Sequence, residues 1–207
     1  MQVMEIQAKD ISKQFNRRRI FSEISFRVKS GESLVITGPN GSGKSTLVKI
    51  IAGLLAPTSG RVEFHDGVEN VERDFTYQHI GLVSPYLQMY KDLTAWENLS
   101  FFARARNRTV DEARLKKLLR QVGLLGREHD ELKTYSSGML QRIKYVAALY
   151  HQPEILILDE PTANLDEQGC RMVYEIVEQQ KQNKILILAT NEPDEVRFGM
   201  KHVALAL

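Results

Sequence analysis

The sequence predicts an α/β fold: a mainly parallel sheet, with antiparallel strands near the N-terminus and a helical subdomain inserted in the middle. Three observations predict it. Short runs at residues 33–37, 155–158 and 185–190 are apolar throughout rather than alternating, the pattern of parallel strands covered on both faces. A glycine-rich turn follows the first run and opens into a helical pattern. Between the strands at 80–83 and 155–158 no strand signal is found, and an amphipathic helix stands there instead.

The elements follow in order. Residues 1–10 alternate polar and apolar side chains without the apolar centre of a signal peptide, and no apolar run approaches the ~18 residues of a membrane span. The chain is therefore expected not to cross a bilayer itself. Strands are expected at 24–28, 33–37, 61–64, 80–83, 155–158, 185–190 and 203–207. The helix at 44–54 carries Leu47, Ile50, Ile51 and Leu54 on one face. Thr109 with Glu112 three residues later reads as a capping box for a second helix, whose apolar face is Leu115, Leu118, Leu119 and Val122 and which Gly123 ends. No repeat or linker divides the 207 residues, so one domain is expected over 1–207, with a core of 1–85 and 152–207 and a helical subdomain of 86–151.

Composition narrows the partners. With 43% hydrophobic residues the chain can form a real core, and a net charge of +2 is too small for wholesale capture of nucleic acid, which is not expected as a partner. The lone Cys170 excludes an intrachain disulfide and fits a reducing compartment. Two basic clusters, Arg17, Arg18 and Arg19, and Arg104, Arg106, Arg108, Arg114, Lys116, Lys117 and Arg120, read as solvated faces.

The chemistry begins at Gly38-Pro39-Asn40-Gly41-Ser42-Gly43-Lys44-Ser45-Thr46, which matches the phosphate-loop pattern G-x-x-x-x-G-K-[ST] between a strand and a helix. Its glycines let successive backbone N–H groups converge on phosphate oxygens at a helix N-terminus. Lys44 is expected to reach the β- and γ-phosphates, Ser45 to place its hydroxyl on Mg²⁺, and Thr46 to hold the α-phosphate. A buried strand at 155–158 delivers Asp159 and Glu160 to its C-terminal edge, where open α/β sheets bind ligands. Asp159 is read as the Mg²⁺ carboxylate. Glu160, pointing the other way one residue on, is read as the general base that polarises the attacking water.

With these residues in place, the chain resembles the ATP-binding-cassette (ABC) ATPases, and among them the compact nucleotide-binding subunits of exporters, over nearly its whole length. The most specific element is Tyr135-Ser136-Ser137-Gly138-Met139 followed by Gln141 and Arg142, with Leu140, Ile143, Ala147 and Tyr150 read as the inward face of the next helix. It is similar to the signature motif of that family. The resemblance implies a P-loop NTPase fold with an ABC-type ATPase core, ATP and Mg²⁺ as cofactors, and two subunits packed head to tail. Ser136 and Gly138 would then face the γ-phosphate held by the opposite subunit, a second copy or a homologue. Phe15 matches the aromatic that stacks on adenine, and Asp166, in Pro161-Thr162-Ala163-Asn164-Leu165-Asp166, matches the loop lining the dimer interface. Asp92-Leu93-Thr94 with Glu97-Asn98-Leu99 resembles the segment where the family docks its membrane permease.

Two positions depart from the family pattern. Pro85 stands where a glutamine touching Mg²⁺ and water is usual, with Gln88 three residues on, and Asn191 stands where a γ-phosphate-sensing histidine is usual. An amide donates a hydrogen bond to phosphate but carries no charge. The expectation is an ATPase peripheral on the cytoplasmic face of a membrane, with Glu160, Lys44 and Asn191 in the reaction, driving a separate permease, with export favoured because the chain stops one strand after Asn191. A soluble assembly scaffold and a slow ATP sensor are the alternatives.

Overall fold

The computed structural model describes residues 3–67, 69–106 and 109–206, and the side chains of these except Arg73 and Asp74. Met1 and Gln2 of the opening segment, Arg108 of the second basic cluster and Leu207 of the last expected strand lie outside the described residues.

The N-terminal region is antiparallel. β1 (Met4–Phe15) and β2 (Arg18–Lys29) form a long hairpin, and β4 (Ser59–Asp66) and β5 (Glu69–Asn70) extend it on the other side of β1. β1 was not among the expected strands although its alternation is visible. A bulge at Asp10, whose φ is 49°, shifts the buried positions from Ile6 and Ala8 to Ile11 and breaks the simple period.

Between these strands the chain enters a second sheet. β3 (Ser33–Thr37) leads through the glycine-rich turn into α1 (Lys44–Ile51), and β6 (Ile80–Val83), β7 (Ile155–Asp159), β8 (Ile185–Ala189) and β9 (Lys201–Ala204) complete a five-stranded sheet in the order β6-β7-β8-β3-β9. Every pairing in it is parallel. The reason its central strands read as unbroken apolar runs is now physical. Ile155, Ile157, Ile185, Ile187, Leu34 and Ile36 face α1 and the antiparallel sheet, while Leu156, Leu158, Leu186, Leu188 and Val35 face the helices on the other side. Each fully buried side chain of this kind contributes about 1.5–3 kcal/mol.

The helical region comprises α2 (Ala95–Ala105), α3 (Glu112–Gln121) and α4 (Ser137–Leu149); α5 (Glu167–Lys181) crosses from β7 to β8, and α6 (Pro193–Val196) is a single turn after β8. Leu115, Leu118, Leu119 and Val122 are buried as expected, and Gly123 ends α3 at a φ of 73°. Three local expectations are corrected. α3 is capped by Asp111, which accepts from the Arg114 N–H at 3.1 Å, and not by Thr109, because the helix begins at Glu112. α1 stops at Ile51: Gly53 adopts a φ of 75°, the Leu54 N–H closes back on the Lys49 carbonyl, and Leu54 is left 66% exposed. On α4 the buried stripe runs through Gln141, Ile143, Tyr145 and Val146, while Leu140 and Ala147 are only partly covered.

Candidate nucleotide site

Register brings three segments to one edge of the parallel sheet. Ile36 on β3 and Asp159 on β7 both lie level with Ala189 on β8, so the turn after β3, the carboxylates after β7 and Asn191 after β8 emerge side by side.

The turn after β3 is built around glycine. Gly38 has a φ of 146° and Gly43 one of 101°, and a side chain on Gly43 would strike Ile20 of β2 at 2.4 Å, so the turn is packed hard against the hairpin. Gly43 is also the residue capping α1, and having no side chain it satisfies none of the helix's first N–H groups. The Ser42 hydroxyl is enclosed without a hydrogen-bond partner. Lys44 is buried, with its ammonium on the Gly38 and Pro39 carbonyls at 2.7 and 3.3 Å. Donors and a positive charge thus converge on one small cradle whose complement is an anion. Gly41, Ser45 and Thr46 belong to the same turn and first helical residues.

Asp159 is fully buried at the end of β7. Its Oδ2 accepts from the Ser84 hydroxyl at 3.2 Å, the Ser45 hydroxyl stands close enough to favour the charged carboxylate, and Oδ1 has no partner. Burial pushes its pKa up, with the two hydroxyls opposing. A carboxylate oxygen left bare beside a serine hydroxyl is the donor set a hard divalent cation takes, and these residues fit Mg²⁺. Ser84 was missed from sequence. Extending the β6–β7 register one residue beyond the Val83–Leu158 pair sets Ser84 level with Asp159, which was the available signal. Lys144 of α4 holds the Ser84 carbonyl at 3.1 Å.

Glu160 is exposed and has a φ of 49°, a conformation that side chains other than glycine rarely adopt. Its N–H donates to the Ala189 carbonyl at 2.9 Å, and the next carbonyl, that of Pro161, receives both the Tyr145 hydroxyl at 2.8 Å and the Gln141 amide at 3.3 Å. The Asn191 amide donates to the side-chain oxygen of Asn40 at 2.8 Å, joining the β8 edge to the phosphate turn. Pro85 and Gln88 are both exposed, and neither makes a described contact with Asp159. Phe15 ends β1 with its ring 45% exposed and the Lys13 ammonium 4.8 Å from its centre.

Ser136 and Gly138 stand apart from this cradle within the chain, at the start of α4, where the Ser136 hydroxyl accepts from the Met139 N–H at 3.2 Å. Gly138 lies against the Asn164 carbonyl, and Asp166 caps α5 through the Gly169 N–H at 2.8 Å while pairing with Arg142 of α4 at 2.6 Å. The start of α4 and the loop after Glu160 therefore form one contiguous surface.

A cradle for phosphate, a carboxylate beside it and a separate serine-capped helix define a nucleotide-binding cassette. Residues 21–163 match the family model of the ABC transporter, and the chain belongs to that family. It is 39% identical over 196 residues to the linearmycin resistance ATP-binding protein LnrL of Bacillus subtilis, covering 93% of this chain and 63% of that protein. It is also 39% identical over 181 residues to the cytochrome c biogenesis ATP-binding export protein CcmA of Rhizobium johnstonii, covering 84% of this chain and 82% of that one. Against LnrL and two further Bacillus subtilis ABC transporter ATP-binding proteins the chain spans 63%, 52% and 55% of their length. In fold it superposes on a dimeric bacterial ABC transporter cassette, MJ0796, with a TM-score of 0.86 at 24% identity, covering 97% of this chain and 94% of the other.

Proposed function

We propose that this chain is the ATP-hydrolysing subunit of an ABC exporter, working as a nucleotide-sandwiched dimer beneath a separate membrane permease. The observation that carries the reading is the open cradle: α1 begins without a side-chain cap, the Ser42 hydroxyl is buried and unpaired, and Lys44 is folded onto carbonyls that it would exchange for phosphate. Gly38 through Thr46 would bind the phosphates of ATP, and Phe15 would stack on the base. Ser45 and Asp159 would hold Mg²⁺, which when bound neutralises phosphate charge. Glu160 is the base for the attacking water, and Lys44 and the Asn191 amide stabilise the γ-phosphoryl group. Ser136 and Gly138 would complete the site of the opposite subunit, with Asp166 at the interface. The division into a core of 1–85 and 152–207 and a helical subdomain of 86–151 is part of this reading.

Two features support a permease partner. A cleft of about 200 Å³ opens between the parallel-sheet core and the helical region, lined by Ala52, Leu54, Tyr77, Leu87 and Phe102 among others. Leu54, Tyr77 and the nearby Phe101 are exposed apolar surface beside it. No helix among the described residues is long and apolar enough to cross a membrane, so such a partner would supply the span. The similarity to a resistance ATP-binding protein and to an ATP-binding export protein supports export. Recovery from native membranes in mild detergent with ATP tests the reading: a stoichiometric partner with several membrane-spanning helices is expected, and a soluble partner alone would favour an assembly scaffold.

Pro85 and Asn191 favour a second reading, a slow ATP sensor, since neither supplies the side chain usual at its position. Glu160→Gln separates the two. A hydrolysing enzyme loses roughly 10²–10⁴-fold in phosphate release and accumulates an ATP-bound dimer, whereas a sensor changes little.

A further inference from the structure

The loop after Glu160 and the loop carrying Asn191 share one buried side chain that neither sequence pattern nor family resemblance singled out. Glu195, on α6, is 1% exposed. Its Oε1 accepts the Thr162 hydroxyl at 2.6 Å, and its Oε2 is enclosed without a hydrogen bond. Glu195 lies four residues beyond Asn191 on the same loop-to-helix segment, where the Thr190 hydroxyl accepts from the Glu192 N–H at 2.9 Å. No lysine or arginine ion pair is formed by Glu195 among the described residues.

An enclosed carboxyl with one unsatisfied oxygen and no countercharge destabilises the fold relative to an uncharged side chain of the same shape. Its contacts indicate what it does instead. Thr162 lies two residues beyond Glu160, and Thr190 immediately precedes Asn191. The Glu160 backbone is in a sparsely populated conformation, which persists only where its surroundings over-determine it. α4 supplies one anchor through Tyr145 and Gln141 on the Pro161 carbonyl. Glu195 supplies the second through Thr162, and it is the one that belongs to the segment carrying Asn191.

Resting on the assignment of Glu160 and Asn191 to the reaction, we propose that Glu195 is a positioning residue: its carboxyl ties Thr162, two residues beyond Glu160, to the segment that carries Asn191 and so fixes the Glu160 carboxylate relative to the Asn191 amide. It acts through the Glu160 loop and not on the reacting atoms. Loss of the tie displaces the base from the γ-phosphoryl group while the phosphate turn, built from β3 and α1, is unaffected.

Steady-state hydrolysis and equilibrium ATP binding of purified full-length Glu195→Ala, Glu195→Gln and Thr162→Val, with Glu160→Gln alongside, test this. We expect kcat to fall about tenfold to a hundredfold in Glu195→Ala and Thr162→Val, with KM and ATP affinity within threefold of the parent. The double variant should be no worse than the worse single, because both remove one bond. Glu195→Gln, which keeps the acceptor for Thr162, should recover most of the rate. Should Glu195→Ala fail to fold, Thr162→Val, which keeps the side chain's shape, carries the test. Wild-type kcat in Thr162→Val and Glu195→Ala, a parallel loss of ATP affinity, or no recovery in Glu195→Gln would each overturn the proposal. If Glu160→Gln abolishes turnover while the Glu195 and Thr162 variants keep it, only this inference fails; if Glu160→Gln changes nothing, the assignment of Glu160 fails and takes the inference with it.

Discussion

α1 and α4 begin with the same physics and treat it oppositely. Both are strand- or loop-to-helix junctions rich in serine and glycine, and both present helix N–H groups and the positive end of the helix dipole. At α4 the Ser136 hydroxyl caps the Met139 N–H, and α2, α3 and α5 are likewise capped by Thr94, Asp111 and Asp166. At α1 the capping position is Gly43, and the enclosed Ser42 hydroxyl beside it bonds to nothing. Among the described α-helices longer than a single turn, then, the ordinary solution to helix initiation is used four times and withheld once. The withheld one is where a buried lysine waits. On the proposed reading, that difference separates a site that would bind an anion by itself from one that is already satisfied and would contribute only to an anion presented by another subunit.

The sharpest way to break the comparison is at the lysine. Lys44→Ala should weaken ATP binding about a hundredfold, the loss of charge-assisted hydrogen bonds worth about 1.5–3 kcal/mol. A fluorescent nucleotide titration measures it. Retained affinity would mean that the open end of α1 is not the phosphate site.

At α4 the expected effects are smaller and of another kind. Ser136→Ala removes a cap that the helix uses in the isolated chain, so it should cost about 1 kcal/mol of stability, a fall in Tm of about 2–4 °C for a chain of this size. ATP affinity of the monomer should not change, and turnover should fall because the opposite site is incomplete. A variant that loses ATP affinity along with stability would put Ser136 in its own subunit's cradle and erase the distinction between the two helix ends.

These two ends were not equally legible in the sequence. The phosphate turn was readable because its chemistry is local: the spacing of Gly38, Gly43, Lys44 and Ser45, a strand before and a helix after leave little else the segment could be. The parallel strands were readable because burial on both faces writes an unbroken apolar run. What was not readable depends on distant partners. Asp159 stands out as a carboxylate at a strand end, but its bond to Ser84 exists only through β6–β7 register. Glu195 looks like one more acidic residue in Asn191-Glu192-Pro193-Asp194-Glu195, and only the packing of α6 against Thr162 makes it the one that is buried. β1 hides in the sequence because a bulge disguises its period, and Leu54 fits a helix face in the sequence although one glycine's handedness stops α1 before it.

The loop joining the two regions gives the smallest effect and tests the contact between them. Asp166 caps α5 and pairs with Arg142 of α4, and its carboxyl is held below the ordinary 3.8 first by the Gly169 N–H and then by the Arg142 guanidinium. An acid whose folded-state pKa is depressed contributes stability that is present above its unfolded value and lost as pH falls through the folded one. Melting temperature followed from pH 6 downward should therefore fall more in the parent than in Asp166→Asn, with the divergence opening only below about pH 4. Asparagine is itself a good cap, so the variant keeps a bond to the Gly169 N–H while losing the charge that this N–H and Arg142 both favour. Because the carboxylate is largely exposed, solvent screens the pair and the divergence should shrink with added salt. Curves that run parallel throughout would show that the Asp166 charge contributes nothing through Gly169 or Arg142, and would leave the Tyr145 and Gln141 bonds to Pro161 as the polar link between α4 and the loop after Glu160.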